Sequence, residues 1–346
     1  MVASLAWSTL ARGTELSTFF VGGYTPDMDG ESTGIAVLES APDGSLHYVG
    51  VVAEVASPSY LARHGDLLYA AIEGEARVQV YRRGPGTTLE ALGSASSGGD
   101  FPCHLLALGD VTLVSNYGSG TIGVLATGAD GSIELTQVIA GEGSGPHEAQ
   151  DGPHAHSTFA LDSRTILSAD LGADRVHVHT LVSGRLERTS TLAVPAGTGP
   201  RDFRRHPSGR ILLLGELSGQ VLVLDWIDGE LSIEQAIAVP GVQLGDHAAE
   251  LSLSDDGSLA FVGLRGSNRV GLIAISPDGL FLDPAGSVET GGNWPRHHVV
   301  DGNFLYVANQ LSSTVSAFEI LGDGGLSSLG EPVAVPSPTH LLRAYG

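Results

Sequence analysis

Short runs of alternating apolar and polar residues recur along the chain, each followed by a small polar turn and a second run of the same kind. The copies read LLYAAIEGEARVQVY from Leu67, TLVSNYGSGTIGVL from Thr112 and ILSADLGADRVHVH from Ile166. They continue as ILLLGELSGQVLVL from Ile211, LAFVGLRGSNRVGLI from Leu259 and FLYVANQLSSTVSAF from Phe304. A period of two marks a strand with one buried face, and Gly, Ser, Asn and Asp at the centre of the copies predict hairpin turns. The copies recur roughly every 45 to 54 residues, the size of one propeller blade.

A second marker precedes each hairpin: SPSYL (57–61), FPCHL (101–105), GPHAHS (152–157), GPRDF (199–203), DHAAEL (246–251), WPRHH (294–298) and SPTHL (337–341). Proline is tolerated at a strand entry, where its missing N–H is not needed by the ladder. The last marker has no hairpin after it. The hairpin it lacks stands at the other end, as TFFVGGYT (18–25) and GIAVLE (34–39). A C-terminal strand that completes an N-terminal blade closes a ring and removes the free sheet edges. The expectation is therefore an all-β chain, one seven-bladed β-propeller domain over residues 1–346. Two stacked β-sandwiches would leave the half-blades at opposite termini unexplained.

Composition narrows the function. The chain has 48 glycines and 17 prolines, which suits short strands and tight turns. Its formal net charge is −22 and its 17 cationic side chains are all arginine. So acidic a surface argues against nucleic acid and anionic membranes as partners. The absence of lysine rules out Schiff-base chemistry, and it fits the arginine codon bias of a GC-rich genome. Cys103 is the only cysteine, so neither an internal disulfide nor a cysteine-based metal site is expected. MVASLAWSTLARGTELS at the start lacks a basic leader region, and no apolar run reaches transmembrane length. The expected address is the cytoplasm.

In a propeller the innermost strand of each blade lines the channel, so residues just after each marker should converge. They are Tyr60, His104, His154, His156, Arg201, Asp202, His247, Glu250, Arg296, His297, His298 and His340. Hairpin turns add Glu73, Asn116, Asp170, Glu216, Arg265 and Asn309. Ionisable side chains where strands should be apolar point to a pocket. His154 and His156 stand two apart and should face the same way on a strand, as a zinc pair would. Spacing supplies no third ligand, so no metal is expected. His147 and Glu148 read as a solvated loop. Arg201 could equally clamp strand-end carbonyls or pair with Asp202, and Glu216 could cap its turn or pair with that arginine.

Taken in order, GPHAHS with SADLGADRVHVH, GTGPRDFRRHPSGR with GELSGQV, and WPRHHVVDGNFLYVANQ make the chain resemble the lactonase family of seven-bladed propellers. That family includes 6-phosphogluconolactonases and carboxy-muconate lactonising enzymes. The resemblance implies a catalytic group of His156 (with His154 beside it), Arg201, Glu216 and Arg265, with Arg296 as a further anion-binding arginine; from their place after the markers, His297, His104 and Asp202 are expected to bind substrate with it. The family's P-R-H reads here Pro200-Arg201-Asp202, its Asn before the glutamate is Gly215, and its N-R-G turn reads Leu264-Arg265-Gly266. Each charged residue is kept while a neighbour has changed, and Asp202 should weaken the positive potential beside Arg201.

The implied reaction is hydrolysis of a sugar lactone, 6-phosphogluconolactone first, as in the pentose phosphate pathway, with no cofactor. His156 would be the base, Arg201 and Arg265 would face the oxyanion, and Glu216 would orient an arginine or act as an acid. Cycloisomerisation of a carboxy-muconate uses the same groups in the reverse sense. A non-catalytic binding platform would instead show a large apolar patch. Calcium-dependent sugar lactonases carry a carboxylate-rich centre, whereas these markers are richer in His and Arg.

Overall fold

Among the described residues, seven antiparallel sheets are built from 29 strands, and the inner edge of each is the strand that opens at a marker. These inner strands are Pro58–His64, Pro102–Ala107, Ala155–Ala160, Pro200–Arg205, His247–Leu253, Pro295–Asp301 and Pro338–Arg343. Each packs on the next and the last packs on the first, so the ring is closed. Blades are numbered here in that order, one to seven. The computed structural model describes residues 16–345. The leader reading of the N-terminal stretch, and the start of the domain expected over 1–346, lie outside the described residues.

The repeated hairpins are the second and third strands of each blade. Leu67–Ile72 pairs with Arg77–Arg83 in blade one, and Ile211–Gly215 pairs with Gln220–Ile227 in blade four. A fourth strand, such as Ile133–Ala140, forms the outer edge with strictly alternating exposure. These outer strands carry no fixed marker and were not part of the repeat. Blade seven is completed from the N-terminus: Pro338–Arg343 pairs with Ser17–Gly23, with Phe19 opposite Arg343 and Val21 opposite Leu341. Glycine in FVGGYT has a packing reason. A Cβ on Gly22 would stand 2.4 Å from the Pro58 carbonyl oxygen of blade one.

Because every blade is apolar on both faces, the core is a set of wedges between neighbours. Leu167, Val176 and Val178 of blade three pack on Phe203, Leu213 and Leu222 of blade four. Leu214 and Val223 of blade four pack on Leu251, Val262 and Leu264 of blade five. A side chain of this size contributes about 1.5–3 kcal/mol when fully buried. Among the described residues no helix is long and apolar enough to cross a membrane.

One irregularity prepares the site. In six blades the pairing register slips by one residue immediately after the marker, as between Pro200 and Asp202 or Pro295 and His297; blade five slips between Ala248 and Leu251. The extra residue is Ser59, Cys103, His156, Arg201, Arg296 or Thr339. A bulge frees two consecutive side chains from strict alternation. The chain enters several of these strands through left-handed backbone, with φ 52° at Phe101 and 67° at Trp294, each directly before proline. Such a conformation before proline costs on the order of 1–3 kcal/mol and persists where surrounding structure enforces it.

Candidate active site

Bulge residues and their successors from the seven blades line one open cup on the axis. Its wall holds Cys103, His156, Arg201 and Arg296, and the next residues along the same strands add Tyr60, His104, Asp202, Glu250 and His297.

Glu216 organises one side. Its Oε2 is engaged by Arg201 Nη1, and its Oε1 lies 2.7 Å from Arg265 Nη2 and 3.2 Å from His247 Nδ1. Burial pushes the Glu216 carboxyl up, but Arg265 and Arg201 together outweigh it and hold it well below the usual range. Burial pulls Arg265 down to about 10 despite that partner. The Arg265 guanidinium also sits 5.5 Å from the Trp294 ring centre. Arg201 pairs with Glu216 and donates through Nε to the Ala249 carbonyl, not to Asp202. The Glu216 carboxylate thus stays ionised and fixes the two guanidinium groups beside it.

Arg296 is held separately. Its Nη2 donates to Tyr24 Oη at 2.6 Å, and Tyr24 Oη in turn donates to Glu73 Oε2 at 2.9 Å. The guanidinium carbon lies 4.8 Å from the Tyr24 ring centre. Three arginines, Arg201, Arg265 and Arg296, thus gather with two carboxylates, Glu216 and Glu73, on this side of the site.

The two histidines of GPHAHS part company. Bulging at His156 breaks the alternation between Ala155 and Ser157, so the two do not share a face. His156 lines the cup. His154 instead stacks on Tyr117 with ring centres 4.5 Å apart. Its Nδ1 lies 2.8 Å from the Tyr117 carbonyl and its Nε2 lies 3.1 Å from Asp151 Oδ1. The expected same-face pair is thereby corrected, and His154 stands outside the cup wall. Burial, then Arg201, holds His156 neutral, well below the ordinary imidazole range. Among the described residues no three His, Cys, Asp or Glu side chains are grouped to hold a metal.

Rings from four blades meet in series beside the cup, each tilted on the next. His104 and Tyr60 centres are 4.6 Å apart, Tyr60 and His340 4.1 Å, and His340 and His297 4.0 Å. Burial pulls His104 and His340 down to about 3 and keeps His297 neutral as well. The belt continues from His297 Nε2 to Glu250 Oε2 at 3.5 Å, and from Glu250 Oε1 to Arg204. Arg204 Nη1 donates to Asp202 Oδ1 at 2.9 Å. Asp202 therefore faces Arg204, and the expected weakening of Arg201 by Asp202 is corrected by that partner. Burial, against the pull of Arg204, pushes the Glu250 carboxyl up to about 8.

Several turn residues are structural. Asp170 Oδ1 accepts from His154 N and Ala173 N, and Asn309 Nδ2 donates to Ser316 Oγ. Asn116 Nδ2 donates to the Ser97 carbonyl. His298 Nε2 faces the Phe261 carbonyl at 3.1 Å, away from the cup. Arg204 and Tyr24 belong to the site and were not singled out by sequence. Arg204 was findable: past the bulge, the strand period places it on the same face as Asp202. Tyr24 lies in the quoted FVGGYT run and carried no chemical signal of its own.

Comparison with known proteins places these features among relatives. The family model described as "Lactonase, 7-bladed beta-propeller" matches residues 18–342. The chain is 28% identical to a 6-phosphogluconolactonase of Bacillus subtilis, over 92% of this chain and 96% of that protein. It is 27% identical to a 6-phosphogluconolactonase of Formosa agariphila, over 93% and 98%. The crystal structure of a periplasmic gluconolactonase of Pseudomonas aeruginosa superposes with a TM-score of 0.87 at 30% identity, covering 94% of this chain and 98% of that one.

Proposed function

The chain belongs to the lactonase family of seven-bladed β-propellers, and we propose that it hydrolyses 6-phosphogluconolactone to 6-phosphogluconate. The observation that carries the reading is the Arg201–Glu216–Arg265 cluster beside a neutral His156 in a cup built by all seven blades. Neutral His156 takes a proton from the attacking water. Arg201 and Arg265, oriented by Glu216, face the oxyanion that forms on the lactone carbonyl, a stabilisation worth about 2.7–4 kcal/mol per donor. Arg296, preset by Tyr24, takes the phosphate, while Asp202, His104 and His297 shape the floor. An anion bound here offsets the arginines that depress His156, so the base strengthens as the complex forms. We further place the reaction in the cytoplasm, in the pentose phosphate pathway, with the lactone as the small-molecule partner.

The test is a hydrolysis panel of 6-phosphogluconolactone, unphosphorylated gluconolactone and a muconolactone, each with and without chelator. The phosphorylated lactone should be preferred and chelator should have no effect. Preference for the muconolactone would instead favour the cycloisomerase reading. Arg201→Ala, folded by its β-type circular dichroism, should lose about 10²–10³-fold in kcat. Unchanged activity would remove Arg201 from the mechanism.

A further inference from the structure

Lactone opening needs a proton for the departing ring oxygen; Glu216 stays ionised, and His156 gains one only from the water it activates on the attacking side. We infer that Glu250 is the proton donor to that oxygen, a proposal that rests on the lactonase reading above.

Position comes first. Glu250 lines the same cup as His156 and Arg201, one residue after Ala249 at the blade-five irregularity. Its Oε1 is taken by Arg204, while Oε2 lies 3.5 Å from His297 Nε2, too far for a strong hydrogen bond. Leu341 N donates to His297 Nδ1 at 3.3 Å, so that neutral ring carries its proton on Nε2 and is no acceptor for the Glu250 proton. Oε2 is thus the oxygen left to carry a proton toward the ligand.

Charge counting gives the reason a proton resides there. Asp202 and Glu250 share the single guanidinium of Arg204. Asp202 also accepts from Phe203 N at 2.8 Å and Leu251 N at 3.4 Å, bonds that favour its ionised form. The other groups facing Glu250 are Arg201 from blade four, His297 from blade six and Tyr60 from blade one, both of the latter uncharged. Two buried carboxylates beside one close cation retain a proton on the one with fewer donors.

The step balances. Water adds to the carbonyl carbon as His156 takes one of its protons. When the tetrahedral oxyanion collapses, the bond from carbon to ring oxygen breaks and the Glu250 proton passes to that oxygen, which becomes a hydroxyl. Glu250 regains a proton from solvent, His156 returns its own, and the product leaves as a carboxylate.

The test compares wild type with Glu250→Gln, which keeps the shape and a hydrogen-bonding side chain but cannot supply an acid proton. Hydrolysis of 6-phosphogluconolactone is followed across pH with the uncatalysed rate subtracted. The expected result is a fall of about 10²–10⁴-fold in kcat with KM nearly unchanged. Wild-type kcat should decline as pH rises through about 8, and the variant should lose that limb. A variant within about threefold of wild type, or one that keeps the limb, overturns the assignment. Should Glu250→Gln not fold, infrared titration of the wild type decides instead: a protonated-carboxyl band lost near that pH supports Glu250, and its absence overturns it. A wild type that opens no lactone defeats the lactonase reading itself, an outcome distinct from the failure of Glu250 alone.

Discussion

Arg265 Nη2 approaches Glu216 Oε1 to 2.7 Å from the neighbouring blade, while Arg201 of Glu216's own blade engages the other carboxylate oxygen. One buried carboxylate thus holds two cations side by side against their repulsion. Glu216→Ala leaves both arginines buried and unpaired, and should destabilise the fold by about 3–5 kcal/mol, read as the denaturation midpoint in urea. Glu216→Gln should cost less stability yet still lower kcat/KM by about 10²-fold, because the arginines lose their fixed position.

Acid should unfold this protein earlier than its carboxylates require. Burial lowers His104, His179, His298 and His340 to about 3 from the ordinary 6.5. The unfolded chain therefore binds protons that the folded one refuses. A group with a depressed folded value contributes stability above its unfolded pKa and loses it as pH falls. With four such histidines, stability should drop by up to about 5 kcal/mol per pH unit once pH is well below 6.5. Glu216 adds the same sign only below about 4.5. Glu250 has the opposite sign, its stabilisation fading as pH rises through about 8. Chemical denaturation at a series of pH values measures all three.

Tyr24→Phe removes the hydroxyl that links Arg296 to Glu73. Leaving buried polar partners unmatched should cost about 1–3 kcal/mol of stability. If Arg296 holds the phosphate, KM for the phosphorylated lactone should rise several-fold while kcat changes little. A panel with the unphosphorylated lactone should show no such rise.

Ring closure should be obligatory. Deleting residues 337–346 removes the inner strand of blade seven, and with it the partner of Ser17–Gly23. That exposes a strand edge and strips Leu341 from its cluster. The expected outcome is aggregation on size-exclusion chromatography. Persistence of a monomer with wild-type melting would contradict it.

Much of this could be read along the chain because a propeller repeats. Period-two hydrophobicity located the repeated hairpins, and the half-blades at the termini implied that the C-terminal strand completes the N-terminal blade; its register, Phe19 opposite Arg343, came only with the structure. The outer strands escaped notice because one exposed edge tolerates varied sequence, as in Leu282–Glu289. Chemistry was legible where it followed a marker, as at Arg201 and Arg296. His154 misled because strict alternation assumes a regular strand. Arg204 was legible from its spacing to Asp202, since the strand is regular past the bulge at Arg201.

The sequence by itself determined the blade count, the closure and part of the set of ionisable residues near the axis, since these follow from local period and order. Only the tertiary structure decided which of those residues meet. Glu216 and Arg265 are 49 positions apart and lie on different blades, and no local rule links them. Bulge geometry turned His156 inward and left His154 against Tyr117. Burial among seven converging strands then kept His156 neutral, while Arg265 and Arg201 overcame burial to keep Glu216 ionised. A proton's place depends on neighbours in space, and those are supplied by the ring.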